Sequence, residues 1–314
     1  MNNELMNIKE NYPKLYFILE KVIGKFAFFE SDVLRSYHEY NDEFLSFGEK
    51  VSNLVMSIEN SEERLENAIK GYIKFSFEYI KLQKDLNLSG RYLHSSFEDT
   101  RREVYHNSEV MEGYYLSGLL LSSFLWYNHY KIFNFFQNNF IPRLDKCGSN
   151  LEIGTGHGLF TSLFLDRLHE WITEGIDISQ YSLDYTKLNL DHFKIEKSKY
   201  HLDIGDIMQL NLGNEMFDSV VCGEVLEHIE DPIRALGEIH RVLKPNGKCF
   251  LTTAAFAASI DHIFMFESVD DIREVLTKSE FKIEAEEIIC IGDKKYQEGM
   301  TKVPIDYAAI IIKA

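Results

Sequence analysis

Along the first ~140 residues, apolar side chains recur at helical spacing. Val51, Leu54, Val55 and Ile58 fall on one face of a helix, and so do Leu65, Ile69, Tyr72, Ile73 and Ile80. Ser61 precedes the second series without a full capping box, while Glu62 and Glu63 suit the positive end of a helix dipole. Leu88-Ser89-Gly90 breaks the pattern. A further periodic segment runs from about Ser108 to Phe140 and is almost uncharged from Tyr114 to Tyr130. Such a segment predicts a helix that is buried nearly all round or lines a pocket. Pro142 ends it, and 145–150 read as a turn into a second domain. From residue 151 short apolar runs alternate with amphipathic helices. Strands are expected at Leu151–Gly154, Ile172–Ile178, Tyr200–Leu202, Phe217–Cys222 and Cys249–Thr253. The intervening helices are Leu159–Leu168, Ser182–Phe193 and Pro232–Leu243. This alternation predicts an α/β fold with a parallel doubly wound sheet. Lys282–Ile291 and Tyr307–Ile312 add an antiparallel pair. We expect a helical domain over 1–140 and the α/β domain over 141–314.

Composition narrows the function. The chain of 314 residues is 45% hydrophobic and 26% charged, ordinary globular values that exclude disordered and collagen-like classes. Its net charge is −17. The first 150 residues hold 17 basic and 21 acidic side chains, and the remainder 16 and 29. So acidic a second half repels a phosphate backbone, and no nucleic-acid partner is expected. Cys147, Cys222, Cys249 and Cys290 form no CxxC pattern and read as buried free thiols. The N-terminus carries no secretory pattern, and the most apolar window, Leu116 to Tyr127, is too short for a membrane span. A soluble cytoplasmic protein with no membrane partner is the expectation. Its uncharged 114–130 segment packs either on its own core or on another subunit, which makes a homo-oligomer a candidate.

The sharpest chemical signal is Leu151-Glu152-Ile153-Gly154-Thr155-Gly156-His157-Gly158-Leu159. Glycines after an apolar strand let the backbone turn tightly and approach a ligand with no Cβ in the way. The spacing is Gly-x-Gly-x-Gly, with Leu159 where a dinucleotide fold has its third small residue. That counts against NAD or FAD, and the absence of Gly-Lys-Ser/Thr counts against a P-loop.

Further motifs follow in order: Gly175-Ile176-Asp177-Ile178-Ser179, Gly205-Asp206-Ile207, Phe217 to Ile229 with Glu224-Val225-Leu226-Glu227-His228 inside it, and Leu243-Lys244-Pro245-Asn246-Gly247. With the glycine loop they resemble the class I S-adenosylmethionine-dependent methyltransferases, in particular the ubiquinone- and menaquinone-biosynthesis-like branch. The resemblance covers about residues 147–254. It implies a Rossmann-like seven-stranded sheet of order 3-2-1-4-5-7-6 with its last strand antiparallel. It also implies S-adenosylmethionine as cofactor and S-adenosylhomocysteine as product. Carried over residue by residue, it puts Glu152 at the methionine ammonium and Gly154, Thr155, Gly156 and Gly158 in the cradle. Asp177 then takes the ribose hydroxyls, Ile178, Gly205, Asp206 and Ile207 surround the adenine, and Glu224 borders the cofactor. A carboxylate with two acceptor oxygens suits a vicinal diol. His157 reads as a loop residue near the methionyl group.

The exit of the fourth strand faces the carboxyl edge of the sheet, where ligands of open α/β folds bind. Glu224, His228 and His262 are the candidate catalytic groups there. Glu-x-x-Glu-His also resembles the magnesium-binding element of ubiquinone-type and small-RNA 2′-O-methyltransferases. That likeness makes Glu224, Glu227, His228 and His262 candidate ligands for magnesium or manganese, with Asp261-His262 as the downstream element. Alternatively, Glu227 and His228 merely hold their loop. Tyr115, Trp126, His129 and Tyr130 are expected to face a small-molecule methyl acceptor from the helical half. The expected function is O-, N- or C-methylation of a small molecule. Rival readings are an RNA or protein methyltransferase that docks through the helical half, a cofactor-binding protein without turnover, and alkyl transfer or ring closure on the same fold.

Overall fold

The computed structural model describes residues 3–292 and 294–313. Helices fill the first half: α1 (Pro13–Lys25), α2 (Glu30–Tyr40), α3 (Asp42–Ile58) and α4 (Glu62–Ser89). The Ser61 hydroxyl accepts from the Arg64 amide at the start of α4, and Gly90 closes it in the left-handed conformation. The expected single helix over 108–140 is instead a broken series. Met111–Tyr115 and Phe136–Phe140 are π-helical turns flanking α5 (Leu116–Leu125) and α6 (Tyr127–Phe135), with an extended residue at Trp126 between the two helices. Each irregularity re-aims aromatic side chains that a continuous helix would carry past the sheet.

The sheet strands are β1 (Gly148–Ile153), β2 (Trp171–Asp177), β3 (Tyr200–Ile204), β4 (Phe217–Gly223), β5 (Leu243–Ala255), β6 (Phe281–Cys290) and β7 (Ile305–Lys313). Their order is β3-β2-β1-β4-β5-β7-β6, and β7 runs antiparallel to both neighbours. Helices α7 (Leu159–Arg167), α8 (Gln180–His192), α9 (Pro232–Val242) and α10 (Val269–Lys278) cover the sheet. The pattern reading missed α10, although Ser268-x-x-Asp271 forms a full capping box at its start.

Alternation along β5 and β7 shows how the two halves join. Cys249, Leu251, Ala309 and Ile311 enter one core, whereas Phe250, Ala308 and Ile310 enter the core shared with α1 to α6. Phe136, Phe140 and Phe160 surround Phe250 with ring centroids 5.0, 5.4 and 5.7 Å away. The helical half is thus layered onto one sheet face. The apolar α5 packs within this chain, since Leu120, Leu121, Phe124 and Leu125 are fully buried. Cys222, Cys249 and Cys290 are buried thiols as expected, but Cys147 is exposed. No helix among the described residues is long and apolar enough to cross a membrane.

Candidate active site

Strands β1 and β4 part at the point where the strand order reverses, and a cavity of about 230 Å³ opens above their carboxyl ends. The glycine loop forms its floor. The amides of Gly154 and Thr155 both reach the Ile176 carbonyl, tying the loop to the end of β2. Gly154, Gly156 and Gly158 all have positive φ, but for different reasons. A Cβ on Gly158 would stand 2.6 Å from the Thr186 Cα, so this glycine allows α8 to pack. A Cβ on Gly156 would meet only the Gly154 carbonyl, at 4.0 Å, so its open side faces the cavity.

Asp177 ends β2 on the cavity wall. Its Oδ2 accepts from the Gly156 amide at 2.9 Å and its Oδ1 from the Ser179 amide at 2.8 Å. Burial pushes this carboxyl upward against those two amides. The Ser182 hydroxyl and the Ile178 amide also act on this carboxyl. Asp206 also borders the cavity, and its Oδ1 takes the Met208 amide at 2.8 Å. Thr155, Ile178, Gly205, Ile207 and Glu224 line the cavity too.

Three sequence expectations are corrected. Glu152 lies beneath the loop and not on the cavity wall, where the Thr161 hydroxyl donates to it and burial pushes its carboxyl up to about 8. Gly158 serves helix packing and does not touch the cavity. Tyr130 points the other way, with Phe44, Tyr40 and Phe47 rings 5.0, 5.1 and 5.4 Å from its own. Helical periodicity could not tell that one turn after Trp126 the aromatic face had rotated into the bundle. Tyr115, Trp126 and His129 do line the cavity.

Beyond β4 the chain turns sharply at Glu224, a left-handed non-glycine residue with φ of 52°. Its amide is held by the Thr252 carbonyl and hydroxyl at 3.1 and 3.0 Å. Such a conformation is strained for glutamate and recurs at functional sites. Burial and the neighbouring Glu227 hold the Glu224 carboxyl well above its ordinary range, and its Oε1 is buried without a partner. Next come His228 and, from the loop after β5, Asp261 and His262. His228 Nδ1 lies 3.1 Å from the Asp261 carbonyl oxygen and 3.5 Å from its carboxylate. A carbonyl only accepts, so Nδ1 carries the proton and Nε2 presents a lone pair. His262 Nδ1 meets the Ala257 carbonyl at 2.8 Å with the same consequence, and burial holds its ring neutral, down to about 4.

Asp261 is fully buried yet ionised. Burial opposes its charge, but His228 and His262 beside it and hydroxyls from Tyr115 and Ser259 outweigh that and lower its pKa. Tyr105 donates to it at 3.0 Å and Tyr115 donates to the same oxygen. Both tyrosines come from the two π-helical stretches of the helical half, 101–105 and 111–115. The contribution of Tyr105 was not foreseen, because a short interrupted helix carries no period to place it.

Comparison with known proteins agrees with this geometry. Residues 151–251 match a family model described as "Methyltransferase domain". Residues 151–251 are a methyltransferase domain. The strand order is the one that the resemblance to class I methyltransferases implies. A ubiquinone biosynthesis O-methyltransferase of Coxiella burnetii is 31% identical over 103 residues, 33% of this chain and 42% of that protein. One of Xanthomonas oryzae pv. oryzae is 32% identical over 124 residues, 38% of this chain and 50% of that protein. The chain thus spans half or less of the length of these curated relatives. Among solved structures, the MccD protein aligns with 59% of this chain and 96% of its own, at 14% identity and a TM-score of 0.48. A SAM-dependent methyltransferase of Methanosarcina mazei aligns with 56% and 97%, at 17% identity and a TM-score of 0.45.

Proposed function

We propose that the chain transfers a methyl group from S-adenosylmethionine to a small acceptor, at an atom that gives up a proton beside His228. One observation carries this reading. The methyltransferase domain's glycine cradle and the His228–Asp261 pair open onto one shared, aromatic-lined cavity. The residues present fit the cofactor. Gly156 leaves its side open, Thr155 Oγ1 is buried on the cavity wall without a partner, and Asp177 ends β2 on the same wall. Among the described residues no lysine or arginine lines the cavity, which suits a sulfonium cation better than a phosphate-bearing cofactor. Bound there, S-adenosylmethionine supplies a sulfonium methyl for in-line displacement, leaving S-adenosylhomocysteine.

The chain's own side chains account for the remaining work. Asp177 and Asp206 hold the nucleoside by hydrogen bonding. His228, oriented by Asp261, accepts the acceptor's proton at Nε2. Tyr105 and Tyr115 donate to Asp261 and thereby pin the helical half over the site, while the aromatic wall excludes water. Titration with S-adenosylmethionine and S-adenosylhomocysteine tests the reading. Wild type should bind both at micromolar concentration, and Asp177→Ala at least tenfold more weakly, the loss of hydrogen bonds to a charged group. Folded wild type that binds neither, with or without added manganese, overturns the proposal.

A second reading concerns a divalent ion, and one observation favours it. One ligand atom each from Glu227, His228 and His262 lies within 4.8 Å of the others. Both imidazoles donate Nδ1–H to backbone carbonyls, the arrangement that presents Nε2 to a metal. Glu227 Oε1 is buried and unpartnered, while its Oε2 takes the Thr253 hydroxyl at 2.6 Å. The three residues would hold the ion, which would polarise an acceptor hydroxyl. Two imidazoles and one carboxylate suit manganese better than magnesium. Direct titration should show manganese bound by wild type and lost in His262→Ala. Full methyl transfer after EDTA treatment, unchanged by either metal, sinks this reading.

A further inference from the structure

The cavity has a further polar cluster besides the glycine loop with Asp177 and the His228 group. Asp306 sits at the start of β7, paired with Ala254 of β5, and faces the cavity although only 4% exposed. Its Oδ2 takes the Asn128 side-chain amide at 2.6 Å. His129 Nε2 lies 4.0 Å from the same oxygen, too far for a direct hydrogen bond. The His129 tautomer follows from its other nitrogen. The Ser122 hydroxyl donates to the Leu119 carbonyl at 2.7 Å, so the His129 Nδ1 contact with that hydroxyl, at 2.8 Å, requires Nδ1–H as donor. Nε2 therefore points a lone pair at Asp306. Burial also lowers this ring to about 3, so it stays uncharged and supplies no second N–H. Close by on the same wall, the Tyr79 hydroxyl is buried with no partner.

The His129 Nε2 lone pair and the Asp306 carboxyl thus face each other across a gap in an apolar surround, where burial and the nearby Glu224 carboxyl push Asp306 up to about 8. Trp126 stacks on Phe75 with centroids 5.4 Å apart and approaches Tyr79 at 5.2 Å, giving an aromatic face beside the gap. A group seated 2.7–3.0 Å from both acceptors must bring at least two N–H or O–H donors. A positive charge seated there would favour the ionised form of Asp306 over the protonated one and would gain from the ring faces. A carboxylate or phosphate on the ligand would find no lysine or arginine on the wall to offset its charge and would face the acidic Asp306 and the His129 lone pair.

We infer that Asp306, His129, Asn128 and Tyr79 form the anchor for a protonated amine, so that the methyl acceptor is an aromatic or apolar molecule bearing a basic nitrogen. This rests on the proposed methyl-transfer function, because it takes the same cavity as the acceptor pocket. The nitrogen anchors the acceptor and need not be the methylated atom.

The test titrates protein saturated with S-adenosylhomocysteine against arylalkylamines with tethers of one to four carbons, each matched to its alcohol and its carboxylate. The best amine should bind at least tenfold more tightly than its alcohol, with no detectable binding of the carboxylate. Asp306→Asn should erase that preference and leave S-adenosylhomocysteine affinity within twofold. Amines that bind no better than their alcohols, or not at all, overturn the inference while the methyl-transfer reading stands. A preference retained in Asp306→Asn overturns it as well. Failure of S-adenosylhomocysteine to bind the wild type brings down the underlying function itself, and the two failures are therefore separable. The wild-type comparison decides the matter even if Asp306→Asn does not fold.

Discussion

Gly158→Ala is expected to destabilise the fold by about 3 kcal/mol and to abolish cofactor binding, whereas Gly156→Ala should cost only about 1 kcal/mol and lose binding alone. Both glycines are left-handed, with φ of 76° and 52°, so alanine brings a comparable conformational penalty at each. What separates them is the Cβ. At Gly158 it would overlap the Thr186 backbone at 2.6 Å, and backbone cannot move aside without shifting α8. That helix follows Asp177 and Ser179, so the shift would carry the Asp177 carboxylate, proposed to bind the ribose, with it. At Gly156 the Cβ would enter open space, which is the space the cofactor needs. Denaturant midpoints read the first difference, and titration with S-adenosylhomocysteine reads the second. A Gly156→Ala protein that binds the cofactor like wild type would show that the ligand does not approach this face of the loop.

The glycine loop and Asp177 could be placed on one cavity wall from the sequence because these residues follow one another along strand–loop–helix units. Glycines at fixed spacing after an apolar strand, and an acid at the end of the next one, place themselves. The strand order also came through, but from the resemblance to class I methyltransferases and not from the strand and helix periods alone. The rest was assembled by tertiary packing. Tyr105, Asn128 and Asp306 come from a π-helical turn, a broken helix and the last strand, which no sequence window contains together. Asp306 did leave a trace, as a lone acid inside the apolar run Ile305 to Ile312, where a buried charge needs a reason. Glu152 misled in the opposite sense. Its position in the motif suggested a ligand contact, yet a threonine on the following helix satisfies it beneath the loop. Tyr130 failed on phase, because the chain breaks its helical period at Trp126.

His228→Ala should lower methyl-transfer turnover by about 10²–10⁴-fold, the usual range for a general base, while S-adenosylhomocysteine affinity stays within twofold. His228 borders the cavity, and its side chain, 12% exposed, is held by Asp261, beside Tyr105 and His262, and not by the groups proposed to hold the cofactor. Asp261→Asn should act through His228. The Asp261 backbone carbonyl still receives Nδ1–H at 3.1 Å, but the charge 3.5 Å away is gone and the imidazolium formed on proton transfer loses its stabilisation. Turnover should fall about tenfold to a hundredfold with an unchanged Michaelis constant for the acceptor, a split that loosened packing would not give. Tyr115→Phe removes one of the hydroxyls that hold Asp261 and should produce a smaller loss of the same kind. Free imidazole added to His228→Ala separates the two roles left for this residue. Partial rescue in EDTA identifies a proton acceptor, since small imidazole can enter the space vacated by the ring. No rescue, together with loss of manganese binding in the same variant, identifies a ligand of a divalent ion. Activity equal to wild type without any addition would remove His228 from the chemistry under either reading.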